Sequence, residues 1–298
     1  MNKAVTVTLC GGLGNQLFQY ATARAVSIRC NAPLVLDLSW FSEVLSTPNV
    51  TPRKYALAPF SLPAHQLYVP STNISSAGSL SRYFRRLGRR LGVKVNDNRF
   101  VEESYHFDKR VLHLQSPVQL VGYWQSPRYF SDVVTQIQQD IGSFGELSDA
   151  CVELLKKISA TDSICIHVRR GDYVSNKEAS SFHGLCSPDY YKRGVGLVAQ
   201  GLKSPHGFVF SDDPTWVREN LDIDIDFTVV DINSVDAPHL DLWLMSACNH
   251  FVIANSSLSW WGAWLSTSPS KQVVAPLRWF SDLTIDTSDL IPDEWIRI

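Results

Sequence analysis

Ser163-Ile164-Cys165-Ile166-His167-Val168-Arg169-Arg170-Gly171-Asp172-Tyr173 decides the fold. A short apolar run rich in β-branched residues stops abruptly at a charged cluster. The run reads as a strand. The pattern repeats downstream. Strands are predicted at Ser163–Val168, Gly207–Phe210, Phe227–Val230, His250–Ala254 and Gln272–Ala275, with helices at Pro188–Leu202, Pro214–Leu221, His239–Ala247 and Ser257–Leu265. Strand–helix alternation at this spacing implies right-handed crossovers and a parallel sheet.

Upstream, the first forty residues read as βαβ. Ala4–Leu9 alternates like a strand, Gly11, Gly12 and Gly14 make a tight turn, and Leu17, Phe18, Ala21, Ala25 and Ile28 fall at helical spacing over Gln16–Cys30. Leu34–Leu38 is a second strand. Residues 43–97 read mostly as loop, Gln119–Tyr123 as a strand and Pro127–Ile141 as a helix. The expectation is an α/β chain of two Rossmann-like halves, 1–145 and 146–298. Its 298 residues are enough for two such cores.

Composition excludes several classes. Apolar residues are 45% and charged residues 19%, as in ordinary globular proteins. Apolar runs fall far short of the roughly 20 residues that a membrane-spanning helix needs. Met1-Asn2-Lys3 leads straight into the first strand without a leader pattern, so a cytoplasmic location is expected. The six cysteines are scattered without a CxxC pair and read as reduced thiols. The net charge of −2 argues against a nucleic-acid binder, yet it conceals an asymmetry. Between Glu43 and Asp97 no acidic residue occurs, while eight basic ones do. In helical projection Arg82, Arg85, Arg86, Arg89 and Arg90 share one face, opposite Leu80, Tyr83, Phe84, Leu87 and Leu91. The segment Arg82–Lys94 reads either as an interfacial helix on anionic lipid or as a surface helix on its own core.

Three polar clusters directly follow three predicted strands: His167 to Tyr173, Ser211-Asp212-Asp213 and Asn255-Ser256-Ser257. In open parallel sheets ligands bind beyond the carboxyl ends of the strands, so the clusters are expected to converge. Two adjacent arginines, Arg169 and Arg170, point different ways from a strand end. One can fork onto a diphosphate while a carboxylate such as Asp172 holds the other. The alternative is a structural Arg–Asp pair. Ser256 and Ser257 either cap a helix or bind phosphate as well. Asp212 and Asp213 either recognise a base or ribose or cap the helix that begins at Pro214. The glycine loop offers backbone amides to a phosphate, but Leu17 stands where a dinucleotide fingerprint has its third glycine, and no P-loop lysine follows. Asp222, Asp224 and Asp226 contain two DxD triplets. Their period of two matches a half-buried extended segment better than a metal site. Trp260, Trp261 and Trp264 within one helix read as core.

Gly11-Gly12-Leu13-Gly14-Asn15-Gln16-Leu17-Phe18-Gln19-Tyr20-Ala21, Gly122-Tyr123-Trp124-Gln125-Ser126, His167 to Tyr173, Ser211-Asp212-Asp213 and Asn255 to Ala263 together resemble the bacterial α-1,2-fucosyltransferases of glycosyltransferase family 11. The resemblance implies a GT-B-like fold, two Rossmann-like domains facing a central cleft, the first on the acceptor side and the second binding GDP-fucose. It implies inverting transfer of fucose from GDP-fucose to the 2-hydroxyl of a galactose-terminated oligosaccharide or lipid-linked glycan, with no metal required. By the same resemblance Arg169 contacts the diphosphate and supports its departure. His167 and an Asp212 or Asp213 carboxylate lie near guanine, and Ser256, Ser257 and the Gly12 and Gly14 amides approach the phosphates. Asn15 sits near the fucose or the acceptor hydroxyl, and Arg170 and Asp172 shape the strand end. For the general base, Asp172, Glu102 and Glu103 stay open. So do a different linkage, a Rossmann oxidoreductase and a silent sugar-nucleotide-binding module.

Overall fold

In the computed structural model the chain forms two compact units, Met1–Phe144 with Asp286–Leu290, and Gly145–Ile285 with Ile291–Ile298. The structure describes residues 3–43, 53–67, 98–142, 147–171, 184–234, 236–282 and 284–298. Arg82–Lys94 and Asp172 lie outside the described residues.

The first unit is built on five strands, β1 (Val5–Thr8), β2 (Leu34–Asp37), β3 (His65–Leu67), β4 (Arg99–Val101) and β5 (Val118–Val121). All pairs are parallel and the order is β3-β2-β1-β5-β4. Helix α1 (Leu13–Arg29) follows β1, α2 (Ser39–Glu43) follows β2, and α3 (Val134–Gly142) follows β5. The first helix starts three residues earlier than its apolar spacing predicts, with Gly12 as its N-cap. Its Leu17, Phe18, Ala21 and Ala25 are buried, as the periodicity requires. Tyr20 donates to Asp140 Oδ2 at 2.7 Å and Arg24 Nε pairs with the same oxygen at 2.9 Å, which locks α1 to α3.

The helix expected over Pro127–Ile141 is broken. Pro127–Tyr129 forms a 3-10 turn, Phe130 leaves helical geometry at φ −130, and α3 begins only at Val134. The break lets Tyr129 and Phe130 both enter the core, where Phe130 meets Phe18 at 6.3 Å. The gain is burial of two large rings that one continuous helix would send in diverging directions.

The second unit has six parallel strands, β6 (Asp162–Val168), β7 (Pro205–Ser211), β8 (Phe227–Val230), β9 (His250–Val252), β10 (Val273–Ala275) and β11 (Ile296–Arg297). Their order, β11-β10-β9-β6-β7-β8, is that of a doubly wound Rossmann sheet. The helices are α4 (Asp149–Ser159), α5 (Pro188–Ala199), α6 (Pro214–Asn220), α7 (Pro238–Ser246) and α8 (Ser257–Leu265). Ile164, Ile166, Val209, Val252 and Val274 from the sheet pack under Tyr191, Val195 and Val198 of α5. Gly194 permits that approach, because a Cβ there would stand 2.8 Å from Val252 Cγ1. Trp260 and Trp261 are fully buried in the core, while Trp264 is only half-buried.

Each unit is thus an α/β fold on a parallel sheet, as the strand–helix alternation implies. Asp222–Asp226 is not a strand, but its alternation holds: the three aspartates are exposed, Ile223 is buried, and Lys192 pairs with Asp222 and Asp224. All six thiols are free.

Candidate active site

In the second unit the chain folds β6, β7 and β8 to one side, then returns to place β9 against the other flank of β6. Such a switch point leaves a crevice beyond the strand ends, because the helices that follow the two central strands diverge to opposite faces. His167 and Val168 end β6, Arg169 to Gly171 follow it, and Asn255 to Ser257 follow β9, so both clusters flank this crevice. The pairing of Val168 with Ser211 puts Arg169 level with Asp212 at the end of β7. The ends of β6, β7 and β9 lie at one edge of this sheet, and contacts join the first two of the three clusters.

The cluster is held by carboxylates. Asp212 Oδ2 lies 3.0 Å from Arg169 Nη1, and its Oδ1 accepts the Arg170 amide at 2.8 Å. Arg170 Nε reaches Asp213 Oδ2 at 3.3 Å, and its guanidinium lies 4.0 Å over the Trp216 ring. Asp213 Oδ1 also accepts the Trp216 amide at 3.1 Å and so caps α6. A Cβ on Gly171 would stand 2.6 Å from Asp212 Oδ2, so the glycine is what lets this carboxylate close on the strand end. Both arginines keep about a fifth of their side chain exposed, 23% for Arg169 and 20% for Arg170, which leaves them reachable by an anion.

His167 is 4% exposed, and its Nδ1 has no hydrogen-bond partner among the described residues. Burial pushes its pKa down to about 4, Asp212 opposes that and Arg169 adds to it. The ring is therefore neutral at physiological pH, with one donor and one acceptor nitrogen. A buried ring nitrogen without a partner among the described residues, beside two arginines, is a place for a polar ligand atom. Asn255 is buried and donates to the Trp279 carbonyl at 3.2 Å, which fixes the end of β9. Ser256 is the N-cap of α8 but spends no side-chain hydrogen bond on the cap. The positive end of α8 opens at the same edge.

The first unit has its own switch point between β1 and β5. There Gly11 takes φ +74, and a Cβ on it would meet Asn15 Nδ2 at 2.7 Å. The left-handed position is Gly11; Gly12 is extended and open, and Gly14 is buried in the first turn of α1. Asn15 Oδ1 accepts from Gln125 Nε2 at 2.9 Å across the two strand ends. Two further glutamines fasten the loop. Gln16 bonds the Gly11 and Lys54 carbonyls and the Ala56 amide, and Gln19 bonds the Cys10 amide and the Gly122 carbonyl. Sequence reading passed over both, although two glutamines beside the apolar stripe of α1 are the kind of signal that marks buried polar struts. Of the base candidates, Glu103 is exposed. Glu102 is partly buried and accepts the Tyr123 amide at 2.6 Å and the Trp124 amide at 3.0 Å. Among the described residues no group of three or more His, Cys, Asp or Glu side chains is placed to hold a metal ion. No described helix is long and apolar enough to cross a membrane.

A doubly wound sheet with two arginines, a neutral buried histidine and a helix start at its switch point is an arrangement that can receive an anionic ligand. The profile of glycosyl transferase family 11 matches residues 98–298. An α-1,2-colitosyltransferase of Escherichia coli is 32% identical, over 99% of this chain and 98% of that one. The O-antigen biosynthesis glycosyltransferase WbnK of Escherichia coli is 31% identical, over 97% and 99%. The galactoside α-(1,2)-fucosyltransferase 2 of Sus scrofa is 25% identical, over 88% and 69%. The chain belongs to glycosyl transferase family 11.

Proposed function

We propose that this chain transfers L-fucose from GDP-fucose, with inversion and without a metal ion, to the 2-hydroxyl of a terminal β-galactoside in a glycan such as an O-antigen. The observation that carries this reading is the pair Arg169 and Arg170, held side by side at a strand end by Asp212. The acceptor 2-hydroxyl oxygen bonds to the anomeric carbon as the bond to the diphosphate breaks, the bonding pair leaves with GDP as added negative charge, and the hydroxyl proton passes to solvent. Arg169 is assigned to that charge, as a preorganised donor worth far more in a dry site than in water. Arg170 is assigned to shaping the site and His167 Nδ1 to guanine, with Asp213 beside it. Ser256, Ser257 and the α8 amides are assigned to phosphate. In the first unit the Gly12 and Gly14 amides are assigned to phosphate and Asn15 to the fucose or the acceptor hydroxyl. No residue is assigned as general base.

A second reading differs only in the donor: a relative at 32% identity is named a colitosyltransferase, so a nucleotide-linked colitose competes with GDP-fucose. Incubation of each donor with a panel of β-galactosides, with and without EDTA, tests both. Fucosylation at the 2-hydroxyl that persists in EDTA supports the first reading, and product from colitose alone supports the second. Another linkage, or loss of turnover in EDTA, contradicts the first.

The segment Arg82–Lys94 is assigned, on its sequence alone, to anionic lipid at the inner membrane face. Unchanged liposome binding after replacement of its five arginines by glutamine would contradict that assignment.

A further inference from the structure

Glu102 stands just beyond β4, where the pairing of Val101 with Val121 sets it level with Gly122 at the end of β5. Its two oxygens take two consecutive amides, Oε2 that of Tyr123 and Oε1 that of Trp124. Gly122 makes room for this clasp, since a Cβ there would stand 2.4 Å from Glu102 Cβ. The clasped turn is an uncommon one. Trp124 takes φ +58, in the left-handed region that a bulky residue rarely adopts. Its indole is completely buried and meets Tyr129 edge-on at 5.7 Å. The turn thereby aims Gln125, itself buried, at Asn15 Oδ1. With both oxygens engaged by backbone amides, Glu102 is badly placed to take a proton from an acceptor and well placed to hold a loop.

We propose that Glu102 is a positioning residue for the transfer reaction: its carboxylate sets the Gly122–Gln125 turn, and through Gln125 the Asn15 amide. The proposal rests on the functional reading above in taking Asn15 as part of the reacting site. The titratable groups acting with Glu102 are Tyr105 on its own segment, Cys10 after β1, Tyr123 after β5 and Tyr129 from the 3-10 turn. Burial pushes all four up, so they are neutral at pH 7. Burial also pushes the Glu102 carboxyl up to about 7, against the pull of the two amides. Protonation on acidification then weakens one of the two clasping bonds.

The test compares wild type with Glu102→Gln, Gln125→Ala and the double variant. Deuterium exchange at equal pH is expected to rise in Glu102→Gln for the peptide spanning 122–125 and for the first turn of α1, and to stay unchanged over β6 to β9. In transfer assays kcat is expected to fall about tenfold or more, because a displaced contact costs rate, while donor KM stays within about twofold. The double variant should be no worse than the worse single one, since both act along one path. The wild-type acid limb near pH 7 should vanish in Glu102→Gln, which cannot titrate. Unchanged exchange, a raised exchange with unchanged kcat, or additive losses would each overturn the proposal. If wild type transfers no sugar from either donor, the functional reading has failed; the exchange measurement alone then upholds or overturns the Glu102 clasp.

Discussion

Arg169 and Asp212 face each other across the ends of β6 and β7, Nη1 3.0 Å from Oδ2, while the other oxygen of Asp212 takes the Arg170 amide. One carboxylate thus sets both arginines. Asp212→Asn keeps the shape but removes the charge and one acceptor, so charge-assisted bonds worth roughly 1.5–3 kcal/mol each are weakened. The expected outcome is a fall in kcat/KM of about tenfold or more, read in steady-state transfer assays.

Arg169→Ala is expected to abolish transfer while circular dichroism and the thermal midpoint stay near wild type. Arg169→Lys should recover little, because a lysine is a point charge and cannot fork onto a diphosphate. Near-normal turnover of Arg169→Ala would remove Arg169 from the mechanism.

Gly171→Ala adds a Cβ 2.6 Å from Asp212 Oδ2, a distance that real contacts do not tolerate. The carboxylate must withdraw from one or both arginines. Weaker donor binding is expected with little change in the thermal midpoint, since the strand core beneath is untouched.

His167 gives a pH signature. Its pKa lies near 4 in the folded chain against an ordinary 6.5, so the unfolded chain binds more protons between those values. Its contribution to stability is therefore full above pH 6.5 and is lost progressively as pH falls toward 4. His239 and His250 are shifted the same way, so the test is a difference. Thermal midpoints of His167→Asn should fall less steeply than wild type between those pH values. Parallel curves would contradict the buried neutral ring.

Much of the second unit was legible because its strands are apolar runs ended by polar clusters, and Phe227–Val230 was placed to the residue. The first unit was harder. β3 and β4 are short and, unlike the equally short β9 and β10, belong to no apolar run: His65-Gln66-Leu67 and Arg99-Phe100-Val101 mix polar and apolar residues. The break at Phe130 is a tertiary effect: two rings reach the core only if the helix stops. The site shows the same division. His167, Arg169, Arg170 and Asp212 sit where strand ends put them, and that is a local signal. The Glu102 clasp and the Gln16 and Gln19 struts join segments far apart in sequence, where nothing local announces the partner.

The strand-end cluster of β6, β7 and β9 is assigned to the donor's diphosphate. Titration calorimetry with GDP and with guanosine, on wild type and Arg169→Ala, tests it most directly. GDP affinity is expected to fall about tenfold or more in the variant while guanosine affinity holds, because a charge-assisted phosphate contact is lost. Equal GDP affinity in the two proteins would contradict it.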